Sequence, residues 1–372
     1  MGLRVRGKSE LPPNPRTTNP RTLELRTPEP SNYEPSNIEL SPGSAHIINQ
    51  PMTLAVGKRA NMLARIANTL YWMGRYLERT EHLARYLRVQ YFTTQDAPMS
   101  QNRDFVLGSI VNMAGIPWEE GKPFVESEIL HAVALDTNNP MSILSAITSA
   151  RENARGMRNI ISTELWEVIN KYYHFVNNYP VSYFKTRGLY DFTLNAGEHC
   201  SVIRGYMDST LTHNDVWALI RLGVHLERTT QIARIISCKL YDIYVLTGQN
   251  ENMSVENYQY TVLLKLLEGF DMNRHHYKAA PDRQKTMEFL ILNADFPRSL
   301  AFNLRQIQYF VRKLGLREHT PDSIGFVVGR LCAQYQYLLY PEIEDKVGEF
   351  VSETLAKVYE LHGSLDKNYF HV

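Results

Sequence analysis

Gly74-Arg75-Tyr76-Leu77-Glu78-Arg79-Thr80-Glu81-His82-Leu83-Ala84-Arg85 recurs later in the chain as Gly223-Val224-His225-Leu226-Glu227-Arg228-Thr229-Thr230-Gln231-Ile232-Ala233-Arg234. Seven positions are identical at the same spacing: Gly, Leu, Glu, Arg, Thr, Ala and Arg. Neighbouring Glu and Arg cannot pair well with each other on one helix, so each must look to another element. A duplicated helix that crosses its own copy answers this by exchange. The repeat therefore predicts Glu78 facing Arg228 and Glu227 facing Arg79, the reciprocal logic of an isologous interface carried inside one chain. Gly74 and Gly223 supply the close approach such a crossing needs.

Working outward, Ile66, Leu70, Met73, Leu77, Ala84 and Leu87 recur at helical spacing around the first copy, with Arg75, Glu78, Arg79 and His82 on another face. No proline intervenes between Asn61 and Pro98, which predicts a helix of roughly 30 residues, about 45 Å long. A shorter helix is expected over 102–114. Asn139 and Pro140 read as N-cap and first helical residue of the next, which continues past Met157. Thr163 reads as the cap of a helix over 164–177, followed by a helical connector over 183–209. Asn214 caps the second long helix, which runs to about Leu246. Phe296-Pro297-Arg298-Ser299 repeats the Pro-x-Ser pattern of Pro140-Met141-Ser142, predicting another start at Pro297. Thr320-Pro321 and a run over 342–362 give the last two helices. No convincing alternating strand is present.

The fold class that follows is all-α, a duplicated helical bundle of two pseudo-symmetric repeats, each led by a long helix. The repeats are expected over residues 61–212 and 213–372, sharing one core. Residues 1–60 are rich in Pro, Asn, Thr, Ser and Glu, with Glu29-Pro30-Ser31-Asn32 echoed at Glu34-Pro35-Ser36-Asn37. They read as a disordered tail, extraneous to the fold, with Met62 as an alternative translation start.

Forty Lys and Arg balance 39 Asp and Glu, so no bulk field favours nucleic acid or an anionic membrane. Cys200, Cys238 and Cys332 are odd in number and far apart, which argues against a disulfide framework and fits a reducing cytoplasm. No apolar run approaches the ~20 residues of a membrane helix.

For chemistry, the two Glu-Arg copies have two readings. They are salt bridges holding helix register, or an Arg cluster that binds a carboxylate or phosphate through bidentate forks. The helix starts at Pro140 and Pro297 offer free N–H groups beside Ser142 and Ser299, read as simple capping or as an anion site. Arg151, Arg155 and Arg158 form a basic ridge beside Glu152. Glu128-Ile129-Leu130-His131 is the only Glu-x-x-His, whereas a di-metal bundle needs two, so no metal is expected. Gly-x-Ser-x-Gly, Walker A and Gly-x-Gly-x-x-Gly patterns are missing, and no cofactor is implied.

Met62-Leu63-Ala64-Arg65, Tyr71-Trp72-Met73-Gly74-Arg75-Tyr76-Leu77-Glu78-Arg79, Ala150-Arg151-Glu152-Asn153-Ala154-Arg155, Leu226-Glu227-Arg228 and Phe296-Pro297-Arg298-Ser299 together resemble the bacterial alpha-E family, an all-α group named for its Glu-Arg motif. The resemblance covers nearly everything from Met62 onward. It implies work alongside circularly permuted ATP-grasp and transglutaminase-like proteins, in forming or processing amide bonds on peptides. It carries over no catalytic residue. The candidate residues are Glu78, Arg79, Arg85, Arg151, Arg155, Glu227, Arg228 and Arg234. The expected function is a helical scaffold acting with an ATP-grasp amide ligase. Its rival is an enzyme that binds a carboxylate or phosphate substrate in an Arg-lined cleft between the repeats.

Overall fold

A computed structural model describes residues 56–92, 102–117, 119, 121–184, 186–248, 252–316, 320–321 and 323–370. All but the last five residues of the tail read over 1–60 lie outside this set. Those five open the first helix.

Thirteen α-helices follow one another and no strand occurs among the described residues. They are α1 (Val56–Phe92), α2 (Arg103–Ala114), α3 (Glu126–Ala134), α4 (Ile143–Gly156), α5 (Thr163–Asn177), α6 (Thr186–Thr210) and α7 (Asp215–Thr247). Then come α8 (Met253–Leu266), α9 (Phe270–Tyr277), α10 (Arg283–Leu292), α11 (Leu300–Lys313), α12 (Ile324–Tyr337) and α13 (Val347–Leu365). At 37 residues, α1 is about 55 Å long.

The two long helices are the axis of the fold. α1 packs on α7, α4 and α6, and α7 on α1, α11 and α13. This explains why both faces of α1 are buried, the polar one included: Leu70, Met73 and Leu87 on one side, Arg75, Glu78, Arg79 and His82 on the other. A stretch buried on every side, as residues 77–87 are, must hide whatever it carries, so its polar groups need partners on neighbouring helices. Gly74 and Gly223 mark the closest approach. A Cβ on Gly74 would collide with the Ile220 carbonyl, and one on Gly223 with the Tyr71 carbonyl.

Eight of the helix starts are capped by a side chain, with shifts from the sequence expectation. Asn214 caps α7 as expected, accepting from Val216 N, while Asn102, expected as the first residue of its helix, is the cap of α2 and accepts from Phe105 N. The start expected at Asn139-Pro140 moves to Ser142, whose Oγ accepts from Ser145 N. Asn139 instead closes a turn, its Oδ1 accepting from Met141 N at 2.9 Å, and the fixed φ of Pro140 serves that turn. Ser299 likewise displaces Pro297 as the start of α11, after an Asn293 turn. Ser162 replaces Thr163, and Ser323 replaces Thr320-Pro321. In each case the serine accepts a backbone N–H three residues on, which satisfies a donor that a proline start leaves free. α4 ends at Gly156, earlier than its apolar spacing suggests. The run over 342–362 breaks into two 3-10 turns before α13, because Ile343 (φ −121°) and Lys346 (φ −130°) leave helical geometry.

Candidate functional site

The crossing of α1 and α7 holds two carboxylates, each gripped by the opposite helix. Arg228 donates to Glu78 through Nε (2.6 Å) and Nη2 (2.8 Å). Arg79 donates to Glu227 through Nε (2.7 Å) and Nη2 (3.1 Å). Both are bidentate forks, the geometry in which guanidinium and carboxylate match best. Each carboxylate also takes a bond from the residue four positions on. His82 Nε2 lies 3.0 Å from Glu78 Oε1, and Gln231 Nε2 donates to Glu227 Oε1 at 2.8 Å. With Glu78 ionised, Nε2 must carry the proton. The imidazole and the amide thus do the same work.

These groups are sealed. Glu78, Glu227, Arg79 and Arg228 are all buried, the most exposed being Arg79 at 9%. Burial pushes the Glu78 carboxyl up, but Arg228 and the His82 hydrogen bond more than reverse this and hold it well below the usual range. Burial likewise raises Glu227, and Arg79 and Arg75 override it. Burial lowers His82 to about 4, against the pull of its Glu78 bond.

The remaining candidates scatter. Arg85 stays near the crossing, on Glu81 at 3.0 Å and Glu268 at 2.9 Å. Arg234 donates to the Met113 carbonyl at 2.6 Å and lines a cavity of about 1070 Å³ between α2 and α7. At its floor Ser109 Oγ donates to Asp242, and the fully buried Lys239 ammonium sits 2.8 Å from the same carboxylate oxygen. Arg151 and Arg155 lie apart from the crossing on α4. Arg151 donates to Asn170 and lies 4.5 Å over the Tyr173 ring, while Arg155 is exposed and pairs with Glu152. Arg158 falls beyond the end of α4, so the expected three-arginine ridge on one helix does not form. Ser142 and Ser299 give their hydroxyls to the Asp136 and Asn293 carbonyls, which commits both helix starts to local structure.

Five participants escaped the sequence reading. Arg75 joins Arg79 on Glu227 at 2.8 Å. Glu81 gathers Arg298 at 2.6 Å and Arg204 in addition to Arg85. Arg298 also reaches Glu268 at 2.7 Å. Glu268 has φ +52°, a left-handed backbone unusual for a residue with a side chain. Burial raises its carboxyl, and Arg85 and Arg298 bring it down to about 2. One signal was available: Arg75 and Glu81 are among the five positions at which the two copies differ, replaced by Val224 and Thr230.

The fold and this site define an all-α bundle clasped at its centre by exchanged Glu-Arg pairs. The family model described as "a predicted alpha-helical domain with a conserved ER motif" matches residues 62–370, and the chain belongs to that family, Alpha-E. Similar proteins include an uncharacterized protein of Mycobacterium bovis and two of Mycobacterium tuberculosis, each 20% identical over 291 residues. Each match covers 72% of this chain and 32% of the relative, so the chain spans about a third of the length of these relatives. No solved structure matches it.

Proposed function

We propose that the protein is a helical accessory scaffold that works beside an amide ligase of the circularly permuted ATP-grasp kind, and with transglutaminase-like proteins, in modifying peptides. The observation that carries this reading is the sealing of the Glu-Arg motif. Its four charged groups are spent on each other in bidentate pairs, which supports an architectural role for the motif and leaves substrate contacts to other residues. The ligase enters through the family resemblance. A region that makes up a third of its longer relatives is in keeping with a module that acts next to other domains. We read residues 61–212 and 213–372 as two copies of one unit, supported by the reciprocal grip of α1 and α7 and by the matched Ser142 and Ser299 starts. Exposed Tyr241, Tyr244, Val245 and Met253, around the α7 to α8 connection, offer apolar surface to a partner. Three free, buried cysteines suit the reducing cytoplasm in which we set this work.

The test is co-purification with an ATP-grasp ligase encoded in the same genome. A complex at micromolar concentration is the expected result. If correctly folded protein forms none, the scaffold reading fails. The rival, an enzyme holding a carboxylate or phosphate substrate against arginines, has room in the cavity beside Arg234. It predicts saturable thermal stabilisation by nucleotides or acyl-adenylate mimics that Arg234→Ala abolishes.

A further inference from the structure

Beside the sealed crossing lies a second charged cluster that is neither sealed nor balanced. Among the described residues, Arg85, Arg204 and Arg298 meet two carboxylates of their own, Glu81 and Glu268. Glu78, which stands 4.0 Å from Arg298 Nη1, is already neutralised by Arg228. Two guanidinium nitrogens in the cluster, Arg85 Nη2 and Arg298 Nη1, are buried with no hydrogen-bond acceptor among the described residues. Both side chains are more than nine-tenths buried, so neither donor has bulk water to fall back on. The excess of cations also destabilises the charged form of Arg85. Its burial and the nearby Arg298 lower it to about 9.

The cluster opens outward through Glu268. A groove of about 500 Å³ between α1 and α6 is lined by Glu81, Arg85, Thr193, Gly197, Ser201 and Glu268. Arg88 and Glu198, also on its wall, carry opposite charges. Arg298 does not line the groove but touches two residues that do, Glu81 and Glu268. The Glu268 side chain is 49% exposed, the only member of the cluster so open. Its two bonds to Arg85 and Arg298 run to a single oxygen, Oε2.

The backbone singles out the same residue. The link from α8 to α9 is a Schellman turn: Gly269 N–H donates to the Leu264 carbonyl at 2.8 Å and Glu268 N–H to the Lys265 carbonyl at 3.2 Å. The left-handed position of that motif ordinarily takes glycine or asparagine. Here it takes Glu268. A carboxylate therefore occupies a place where the backbone favours no side chain, and its contacts are the two arginines.

We propose that Arg85 and Arg298, with Arg204 behind Glu81, form a carboxylate-binding site in which Glu268 is the resident, displaceable occupant. An incoming carboxylate replaces that of Glu268, which swings into solvent. It brings two free oxygens to arginines that now share one, so the idle donors gain acceptors. No covalent bond is made or broken, and the arginines face one carboxylate charge before the exchange and one after it. The small and polar groove walls, Thr193, Gly197 and Ser201, leave space for a short chain behind the carboxylate. The proposal deepens the accessory reading by giving the scaffold a hold on the acid end of a peptide, and it rests on that reading only for the choice of ligand.

The test uses the full chain and the variant Glu268→Gly, which suits the left-handed backbone and removes the competitor. Binding of tri-alanine with a free C-terminal carboxylate, tri-alanine amide and sodium acetate is measured by calorimetry at matched ionic strength. Glu268→Gly should bind the free acid at least tenfold more tightly than the wild type does, and the amide should not bind. If acetate tightens as strongly and the tripeptide does not, the site stands and its ligand is a small carboxylate. If the variant binds neither acid more tightly, or binds acid and amide alike, the proposal is overturned. Because the isolated chain is used, this result is independent of whether a ligase co-purifies.

Discussion

Glu78 and Glu227 hold matching places in the crossing, yet their surroundings differ in a telling way. Glu227 is held by two guanidiniums, Arg75 and Arg79, and by the neutral amide of Gln231. Those arginines rest against rings: Arg75 lies 4.7 Å over Trp72, and Arg79 lies 5.5 Å over Tyr76. Glu78 has one arginine, Arg228, and a histidine that burial keeps neutral. Around Glu227 the charge is closed off by aromatic side chains. Around Glu78 it continues through Arg298 and Glu81 to the surface. The same motif has thus been finished as a lock on one side and left continuous with a groove on the other, the side on which we propose that a carboxylate binds.

Substitutions should separate the two carboxylates energetically. Glu227→Ala leaves two buried guanidiniums without their carboxylate and should have the largest effect, at least the roughly 3–5 kcal/mol of a broken buried pair. Glu78→Ala should cost less, since one arginine is stranded and Glu81 lies within the same network. Urea unfolding of the two variants measures this, and equal losses would remove the asymmetry. Gly74→Ala and Gly223→Ala come next, about 1–3 kcal/mol each, because either methyl strikes a carbonyl of the opposite helix. Unlike the charge variants, these two should be equally damaging.

His82→Gln converts the Glu78 side to the arrangement around Glu227. At neutral pH it should change stability by about 1 kcal/mol or less, since one hydrogen-bond donor replaces another. Its signature is in the pH dependence. His82 has a folded pKa near 4, below its ordinary 6.5, so the unfolded chain binds more protons in that interval. Its contribution is full above pH 6.5 and falls away as pH drops toward 4. His225 and His362 are lowered too, by burial first and then by neighbouring arginines, and share this limb. The depressed carboxyls of Glu78 and Glu227 act at lower pH, their contribution fading below about 4.5. The variant should therefore flatten the upper limb and spare the lower one. A thermal-melt series from pH 4 to 7.5 that matches the wild type would show that His82 does not titrate on unfolding. The smallest effect belongs to Arg155→Ala, under about 0.5 kcal/mol, because its pair with Glu152 is solvated.

Much of this was written in the repeat. Helical spacing and the absence of alternating strands gave the all-α class, and the doubled Leu-Glu-Arg-Thr with its leading glycine gave the exchange of partners between α1 and α7. Two kinds of feature resisted. Helix starts went to serines a few residues beyond or before the expected caps, because a turn closed by Asn139 or Asn293 uses the same Pro and Asn signals as a helix entrance. The Arg85 cluster depends on α6, the α8 to α9 link and the loop before α11 converging on Glu81, and nothing local in sequence encodes that meeting.

The exchange of partners has a further consequence for how the chain assembles. Before α1 and α7 meet, Glu78, Arg79, Glu227 and Arg228 face water, where charge keeps an unfinished segment dispersed. Once they meet, each segment removes the other's liability. A polypeptide split in the connection between α6 and α7 should therefore yield two fragments that stay in solution alone and reunite when mixed.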